Sequence, residues 1–311
     1  MILLVSTSRD VAVDSIVHEL TTRRLEYVRL DIDLLRTDRV VLDPIRRSLT
    51  QTLPDGTVHQ ISQPDAILYR APTHLRESSG HRYPPDELLA RHQWAAFARS
   101  LMIFDQARWI NNPKDTYIAE NKAFQLHIAG TLGFRIPTTA IANYLPEPLS
   151  GHPVVAAKAL DSFLVRQGEQ DLFFYTTPLP TSSITYDTCH DMPVIFQRYI
   201  DPKVDIRITV VGDRCFAAAT EMPITGDWRR QRSNVRFCRA DAPDDILAKC
   251  RALLRHLHLN YGAIDLVRQD GHDYFLEINP TGEWAWLDDV FDGDITRALV
   301  DELSLNFRTA A

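Results

Sequence analysis

The stretch from Phe275 to Leu287, FLEINPTGEWAWL, sets two oxygen-bearing side chains into an apolar strand and follows them with two tryptophans. Residues two apart on a strand point to one face. Glu277 and Asn279 therefore stand side by side, with Phe275 expected on their face and Leu276 and Ile278 on the other. A carboxylate buried without a partner is costly, so a cation should meet it. The segment YGAIDLVRQDGHDYFLEINP reads as two apolar runs around a turn-rich centre, a hairpin pattern. With Gln269 to Asp273 as the loop, Arg268 pairs with Tyr274 and Asp265 falls opposite Glu277, a register that a slip of one residue would break. Two carboxylates and an amide oxygen (Asp265, Glu277, Asn279) then converge. Hard oxygen ligands suit Mg²⁺ or Mn²⁺, and so incomplete a shell leaves positions for phosphate oxygens and water. The plain alternative is a structural network in which Asp265 and Glu277 pair with arginines.

Four further features could serve that cluster. Lys122 lies inside a helix just past a proline-marked boundary, and Lys158 lies in the apolar strand VVAAKAL, where a charge is uncommon. DIR puts Asp205 and Arg207 on one strand face, and RSNVR alternates Arg232, Asn234 and Arg236. Point charges and a divalent-metal shell neutralise phosphate oxygens while a nucleophile approaches, so this combination could hold a nucleoside triphosphate. Each part also has a plain reading: Lys122 as a solvated helix lysine, Lys158 as a structural strand lysine, RSNVR as a polar strand edge. Arg229, Arg230, Arg232 and Arg236 crowd together in an acidic chain, either as a solvated basic loop or as a surface for a carboxylate-rich substrate. Trp284 and Trp286 read first as packing around the hairpin and second as peptide contacts.

The elements that must position these residues follow from pattern. At 311 residues and 45% hydrophobic the chain can build two or three lobes, and a net charge of −7 argues against a general nucleic-acid binder. No apolar run reaches membrane-spanning length, and MILLVSTSRD lacks a basic leader and a cleavage site; a cytoplasmic protein with no membrane partner is expected. Cys189, Cys215, Cys238 and Cys250 show no CxxC spacing and read as reduced thiols. His256 and His258, two apart, do not share a helix face and are no metal pair. The start has the pattern of a first βαβ unit of a doubly wound sheet: strand MILLVST, helix 12–24, strand LEYVRLDI. Its loop, Ser6 to Asp10, has no glycine, which excludes a dinucleotide fingerprint. A hairpin around Pro54-Asp55-Gly56, a strand DAILYRAP and a helix 86–104 follow, then a helical stripe from Ile118 to Leu132 ended by Gly133. Short strands VVAAKAL, SFLVRQ, DLFFYTTPL and VIFQRYI lead to a hairpin turning at Gly212-Asp213, a helix 242–258, the hairpin above and a helix 295–303. Changes of pattern near Trp109 and Gln197 divide the chain into 1–110, 111–198 and 199–311.

The order of these features resembles the ATP-grasp superfamily, specifically the ribosomal-peptide maturases that make microviridin-type and related graspetide macrocycles. The matching segments are RWINNP, ENKAFQL, VVAAK, FQRYI with DIRITVVGD, and GAIDLV with FLEINPTGEWAWL, across roughly the last two hundred residues. The resemblance implies an α/β protein with α+β lobes: an ATP-grasp fold after an N-terminal Rossmann-like pre-ATP-grasp domain. It implies that Lys122 and Lys158 grip ATP phosphates, that the backbone of Gln197, Arg198, Tyr199 and Ile200 reads adenine, with Asp205 beside it, and that Asp265, Glu277 and Asn279 hold magnesium (two ions, with Mn²⁺ as a substitute). Arg207 would meet the γ-phosphate or acyl phosphate, Arg232 and Asn234 would serve catalysis, and Arg229, Arg230 and Arg236 would meet the peptide. The implied partner is an acidic ribosomal precursor peptide, leader plus core, acted on by a homodimer. The implied activity is ATP-dependent activation of Asp or Glu side chains as acyl phosphates and closure of ester or amide macrocycles. Two rivals stand beside it: a ligase adding an amino acid to a separate peptide or protein, and an ATP-binding module without catalysis. Two departures from the pattern are AAKAL, where the family has lysine followed by proline, and SFLVRQGEQDLF, too poor in glycine for a flexible phosphate lid.

Overall fold

β1 (Ile2–Ser6) is buried along its whole length, which is why ILLVS reads as a continuous apolar run rather than an alternation. The computed structural model describes residues 1–70, 84–161, 164–167, 170–173, 176–226, 228 and 235–305. After β1 come α1 (Val11–Thr22) and β2 (Tyr27–Asp31), a meander of β3 (Arg39–Asp43), β4 (Ser48–Thr52) and β5 (Val58–Ile61), and then β6 (Ala66–Tyr69), α2 (Pro85–Ser100) and β7 (Arg108–Ile110). β1, β2, β6 and β7 form one parallel sheet in the order β2-β1-β6-β7. One face packs on α1 and the C-terminal helices; the other packs on α2 and on Leu49 and Ile61 of the meander.

Asp10 caps α1, accepting from the Val13 N–H at 3.3 Å, and pairs with Arg70 Nε at 2.8 Å. Burial alone would raise the Asp10 carboxyl, but the charge and hydrogen bond of Arg70, joined by Ser6 and the Val13 N–H, outweigh it and hold the group below the ordinary range. A depressed folded value means stability that is present above the unfolded value of about 3.9 and is lost as pH falls through the folded one. Asp10→Asn is therefore expected to cost about 1–3 kcal/mol at pH 7. Urea unfolding at neutral pH and near pH 3 should show the gap to wild type closing in acid.

The middle of the chain begins with α3 (Pro113–Ala119) and α4 (Lys122–Thr131). The single helical stripe expected from Ile118 to Leu132 is broken at Glu120-Asn121, because Asn121 caps a new helix by accepting from the Phe124 N–H at 3.0 Å. Lys122 is consequently the first residue of α4 rather than an interior one. Next come β8 (Thr139–Ala142), α5 (Glu147–Ser150), β9 (Val154–Lys158), β10 (Leu164–Gln167), β11 (Gln170–Phe173), β12 (Thr177–Pro180), α6 (Tyr186–Cys189) and β13 (Val194–Arg198). The expected strand DLFFYTTPL is two strands: β11 pairs with β10, whereas β12 joins the sheet β12-β9-β13-β8. Pro178 and Pro180 cannot donate to a ladder on both sides, and β12 sits at the sheet edge, where that is tolerated.

The last part holds β14 (Val204–Val211), β15 (Arg214–Thr220), β16 (Phe237–Arg239), α7 (Asp244–His256), β17 (Tyr261–Gln269), β18 (His272–Asn279), α8 (Ala285–Asp288) and α9 (Asp294–Leu303). Its sheet runs β16-β15-β14-β17-β18, with α4 and α7 packed on one face through Ile206, Ile208, Ile264, Leu266, Phe275 and Ile278. β17 and β18 turn through Asp270-Gly271 alone, at φ 51° and 75°. An Asp-Gly pair adopts such left-handed angles readily, and the two-residue turn matches the strand twist. The strands therefore extend to Gln269 and His272, and Arg268 pairs with Asp273, not with Tyr274. A β-bulge then restores the count: Leu266 pairs with Phe275, Leu276 is extra, and Asp265 faces Glu277 as expected. The same bulge overturns the expected faces. Phe275 turns into the core with Ile278, its ring 5.2 Å from that of Phe134, and Leu276 turns to the side of Glu277.

Candidate active site

On the open face of the C-terminal sheet, Asp205, Arg207 and Thr209 follow one another at every second position of β14. Arg207 lies opposite Asp265, which lies opposite Glu277. Arg207 Nη1 donates to Asp265 Oδ1 at 2.7 Å, and Lys122 Nζ stands 3.4 Å from Glu277 Oε2. Asn279 Nδ2 donates to Asp265 Oδ2 at 3.4 Å and to Glu277 Oε1 at 3.3 Å. Two carboxylates, an amide and two cations thus meet in one row. A half-turn of the Asn279 amide exchanges its nitrogen for Oδ1 and gives three oxygens on one side.

The donor set fits a hard divalent cation. Among the described residues no group of three or more His, Cys, Asp and Glu side chains could hold a metal, so a shell here would need the amide oxygen and oxygens brought by a ligand, as Mg²⁺ commonly accepts. Arg207 is 6% exposed and its Nε has no hydrogen-bond partner among the described residues. A buried cationic donor left unmatched suits an anionic ligand.

Along the same strands a cleft opens between the sheets β12-β9-β13-β8 and β16-β15-β14-β17-β18, lined by Ala156 and Lys158 of β9, Gln197 to Ile200, Lys203, Asp205, Val267 and Leu276. Lys158 closes β9 opposite Ile195 and donates from Nζ to Gln197 Oε1 at 2.7 Å, while Gln197 Nε2 donates to Thr139 Oγ1 at 2.8 Å. The lysine is thereby oriented into the cleft rather than along the sheet. Ala156, Ile200, Val267 and Leu276 give an apolar lining suited to a flat ring, and Lys158, Lys203 and Asp205 add charges to the same cleft. Burial, and then the Asp201 charge, push the Tyr199 phenol above its ordinary range, so it stays neutral there. Lys158→Met keeps the stem and removes the charge. With ATP in this cleft, as the resemblance implies, affinity is expected to fall about 10- to 100-fold, the cost of one charged contact, with little loss of thermal stability; isothermal titration checks it.

Lys203, ion-paired with Asp205, also lines the cleft and was not singled out from the sequence, although its place two residues before Asp205 signals a shared face. Leu276 lines it too, on the face opposite to the one that strict strand alternation predicts. Arg229, Arg230, Arg232 and Asn234 lie outside the described residues. Arg236 is exposed, with its Nε 3.6 Å from Glu221 Oε1. The two tryptophans part company: Trp284 is 1% exposed and donates to Thr296 Oγ1 at 3.2 Å, whereas half-buried Trp286 packs tilted against Trp228 at 5.0 Å and edge-on against Phe237 at 5.1 Å. Cys215, Cys238 and Cys250 are free thiols. No helix among the described residues is long and apolar enough to cross a membrane.

No protein-family model and no curated protein matches the chain. Solved structures do. A ribosomal-peptide-associated ATP-grasp ligase of Chryseobacterium gregarium, in complex with ADP and a leader and core peptide, is 24% identical over 98% of this chain and 96% of its own, with a TM-score of 0.85. The macrocyclase MdnC of Microcystis aeruginosa, bound with its precursor peptide MdnA, is 23% identical over 98% and 100%, with a TM-score of 0.83. The D-alanine–D-alanine ligase of Bacillus anthracis, complexed with ATP, is more distant at 13% identity and a TM-score of 0.57, yet covers 100% of this chain. The chain therefore has an ATP-grasp fold.

Proposed function

We propose that the chain is an ADP-forming ligase that activates Asp or Glu side chains of a ribosomal precursor peptide and closes them onto Ser, Thr or Lys side chains of the same peptide. The observation that carries this reading is the row Arg207–Asp265–Glu277–Asn279 on the strands that, through Asp205, Val267 and Leu276, also line the apolar cleft of Lys158 and Gln197 to Ile200. A carboxylate is a poor electrophile because its charge is delocalised and oxide is a poor leaving group. Transfer of the γ-phosphoryl group from ATP to a carboxylate oxygen gives an acyl phosphate and ADP. A hydroxyl or amine then attacks the acyl carbon, loses its proton and expels phosphate, forming an ester or amide.

In this reading the backbone of Gln197 to Ile200 holds adenine, with Asp205 beside it, and Lys122 and Lys158 hold phosphates. Arg207, its Nε available, binds the transferring phosphoryl group or the developing oxyanion. Asp265, Glu277 and Asn279 would hold Mg²⁺, which when bound neutralises phosphate oxygens. Arg232 and Asn234 would assist turnover, and Arg229, Arg230 and Arg236 would receive acidic residues of the peptide. Residues 1–110 are assigned to a supporting unit, and 111–198 and 199–311 to the two lobes of the cleft, in a cytoplasmic homodimer. Support for a peptide substrate comes from the solved relatives, several of which hold precursor peptides.

Product mass decides between this and its rivals. The purified chain with ATP, Mg²⁺ and an acidic precursor peptide encoded beside its gene should yield ADP and a peptide lighter by one water per linkage. A peptide heavier by a residue would make it a ligase of separate molecules, and ATP binding without either product would make it a non-catalytic module.

A further inference from the structure

In a doubly wound sheet the crevice for a ligand lies outside the carboxyl ends of the strands, where the chain's direction of growth reverses. In the order β2-β1-β6-β7 that point falls between β1 and β6. Ser6 ends β1, Asp10 caps α1 beside it, and Arg70 directly follows β6. Arg70 there meets a segment of this same chain. Arg70 Nη1 donates to the carbonyls of Thr281 and Gly282 at 3.3 and 3.4 Å, and Nη2 to Glu283 Oε2 at 3.0 Å. Its guanidinium lies 4.5 Å from the centre of the Trp284 ring.

Other parts of the fold grip the same segment. Asn111 is 2% exposed and uses its amide fully: Nδ2 donates to the carbonyls of Tyr261 and Pro280, both at 2.8 Å, and Oδ1 accepts from the Asn260 and Tyr261 N–H groups. The Tyr261 hydroxyl donates to the Gly282 carbonyl at 2.6 Å, Gly282 N–H to the Asn279 carbonyl at 3.2 Å, and Trp286 Nε1 to the Glu283 carbonyl at 3.1 Å. Each carbonyl from Asn279 to Glu283 therefore accepts a hydrogen bond. The segment in turn backs onto the site: a Cβ built on Gly282 would lie 2.6 Å from Ala263 Cβ and 3.1 Å from Arg207 Nη2.

We propose that Arg70 is a positioning residue: it uses the ligand crevice of the N-terminal sheet to hold residues 280–283 as the wall behind Arg207 and beside Asn279. This rests on the ADP-forming reading above. A merely structural cation would lower stability when removed and leave the turnover of folded molecules unchanged. A positioning residue instead lowers kcat, since a displacement near 1 Å can cost about 100-fold while leaving nucleotide binding largely intact.

The test is Arg70→Met, Arg70→Lys and Glu283→Gln, each read by hydrogen exchange over residues 279–287, by kcat and ATP KM for ADP formation, and by Mn²⁺ affinity in the presence of ADP. Arg70→Met is expected to speed exchange in that segment, lower kcat about 10- to 100-fold and loosen Mn²⁺ by a similar factor, with ATP KM within about twofold of wild type. Lysine should restore part of the loss, because it keeps the Asp10 ion pair and lacks the fork that reaches the carbonyls. Glu283→Gln keeps an oxygen for the Trp284 and Ala285 N–H groups and should show a smaller change of the same sign, so the test survives if Arg70→Met does not fold. Unchanged exchange over 279–287, or unchanged kcat and Mn²⁺ affinity in folded variants, overturns the proposal. If the wild type forms no ADP, it is the ligase reading that falls, and exchange with Mn²⁺ affinity still decides whether Arg70 braces the segment.

Discussion

Glu277→Ala is expected to lower ADP formation by about a thousandfold while shifting stability by no more than about 1 kcal/mol. The two halves of this expectation have separate causes. Glu277 is one of only two carboxylates in the row, its partner Asp265 lies directly opposite, and the Asn279 amide spans both. Without it, the oxygens that could meet a divalent cation fall to one carboxylate and one amide, and charge building on a transferring phosphoryl group goes uncompensated. The fold, by contrast, asks little of the side chain. Its ion pair with Lys122 is partly solvated, with side chains 20% and 23% exposed, and Ile278 and Phe275 on the other face carry the packing. Steady-state ADP release, with circular dichroism and thermal melting on the same sample, checks both. Turnover like that of wild type in the variant would remove Asp265, Glu277 and Asn279 from any metal role.

That the row could be anticipated at all from sequence depends on two errors that cancel. Counting outward from a five-residue loop placed Asp265 opposite Glu277, yet the turn is the two residues Asp270-Gly271, which shifts the pairing near the turn by one. The bulge at Leu276 shifts it back. An Asp-Gly pair between apolar runs carries the signal for the tight turn. Nothing in the local pattern marks Leu276 as the extra residue, because Phe, Leu and Ile in succession fit either face. Only the need to bury Phe275 against Phe134 and to leave Leu276 for the cleft distinguishes them, and that is a tertiary fact.

The N-terminal strands and helix were legible for a simpler reason: a run such as ILLVS, buried on both faces, and an Asp-capped amphipathic helix are local patterns with few alternatives. Lys158 was legible because a charge in an apolar strand is conspicuous. Arg70 and Asn111 were not, since the carbonyls and side chains they clamp lie about 150 to 210 residues further along the chain and neither stands in an unusual context. Long-range polar clamps on backbone carbonyls leave no periodicity. The break between α3 and α4 was missed although Asn121 is a strong capping residue, because the apolar stripe on either side continues almost in phase.

Lys122→Met is expected to move two affinities in opposite directions. Lys122 stands against Glu277 and Arg207 against Asp265, so each carboxylate already has a cation of the chain's own. A divalent ion arriving alone must displace these cations and leave them with nothing to pair with. Phosphate oxygens change that balance, because Lys122 and Arg207 can turn to them as the ion takes the carboxylates. Metal and nucleotide should therefore bind the wild type synergistically, with Mn²⁺ alone weak and Mn²⁺ with ADP much tighter. Methionine removes one competitor and one phosphate contact together. Mn²⁺ alone should then bind several-fold more tightly, while ATP binds about 10- to 100-fold more weakly, as loss of a charged contact implies. Electron paramagnetic resonance of free Mn²⁺ and calorimetry with ATP measure the two separately. A variant in which both affinities fall, or neither moves, would return Lys122 to the surface of its helix and leave the carboxylates to be neutralised by Arg207 alone.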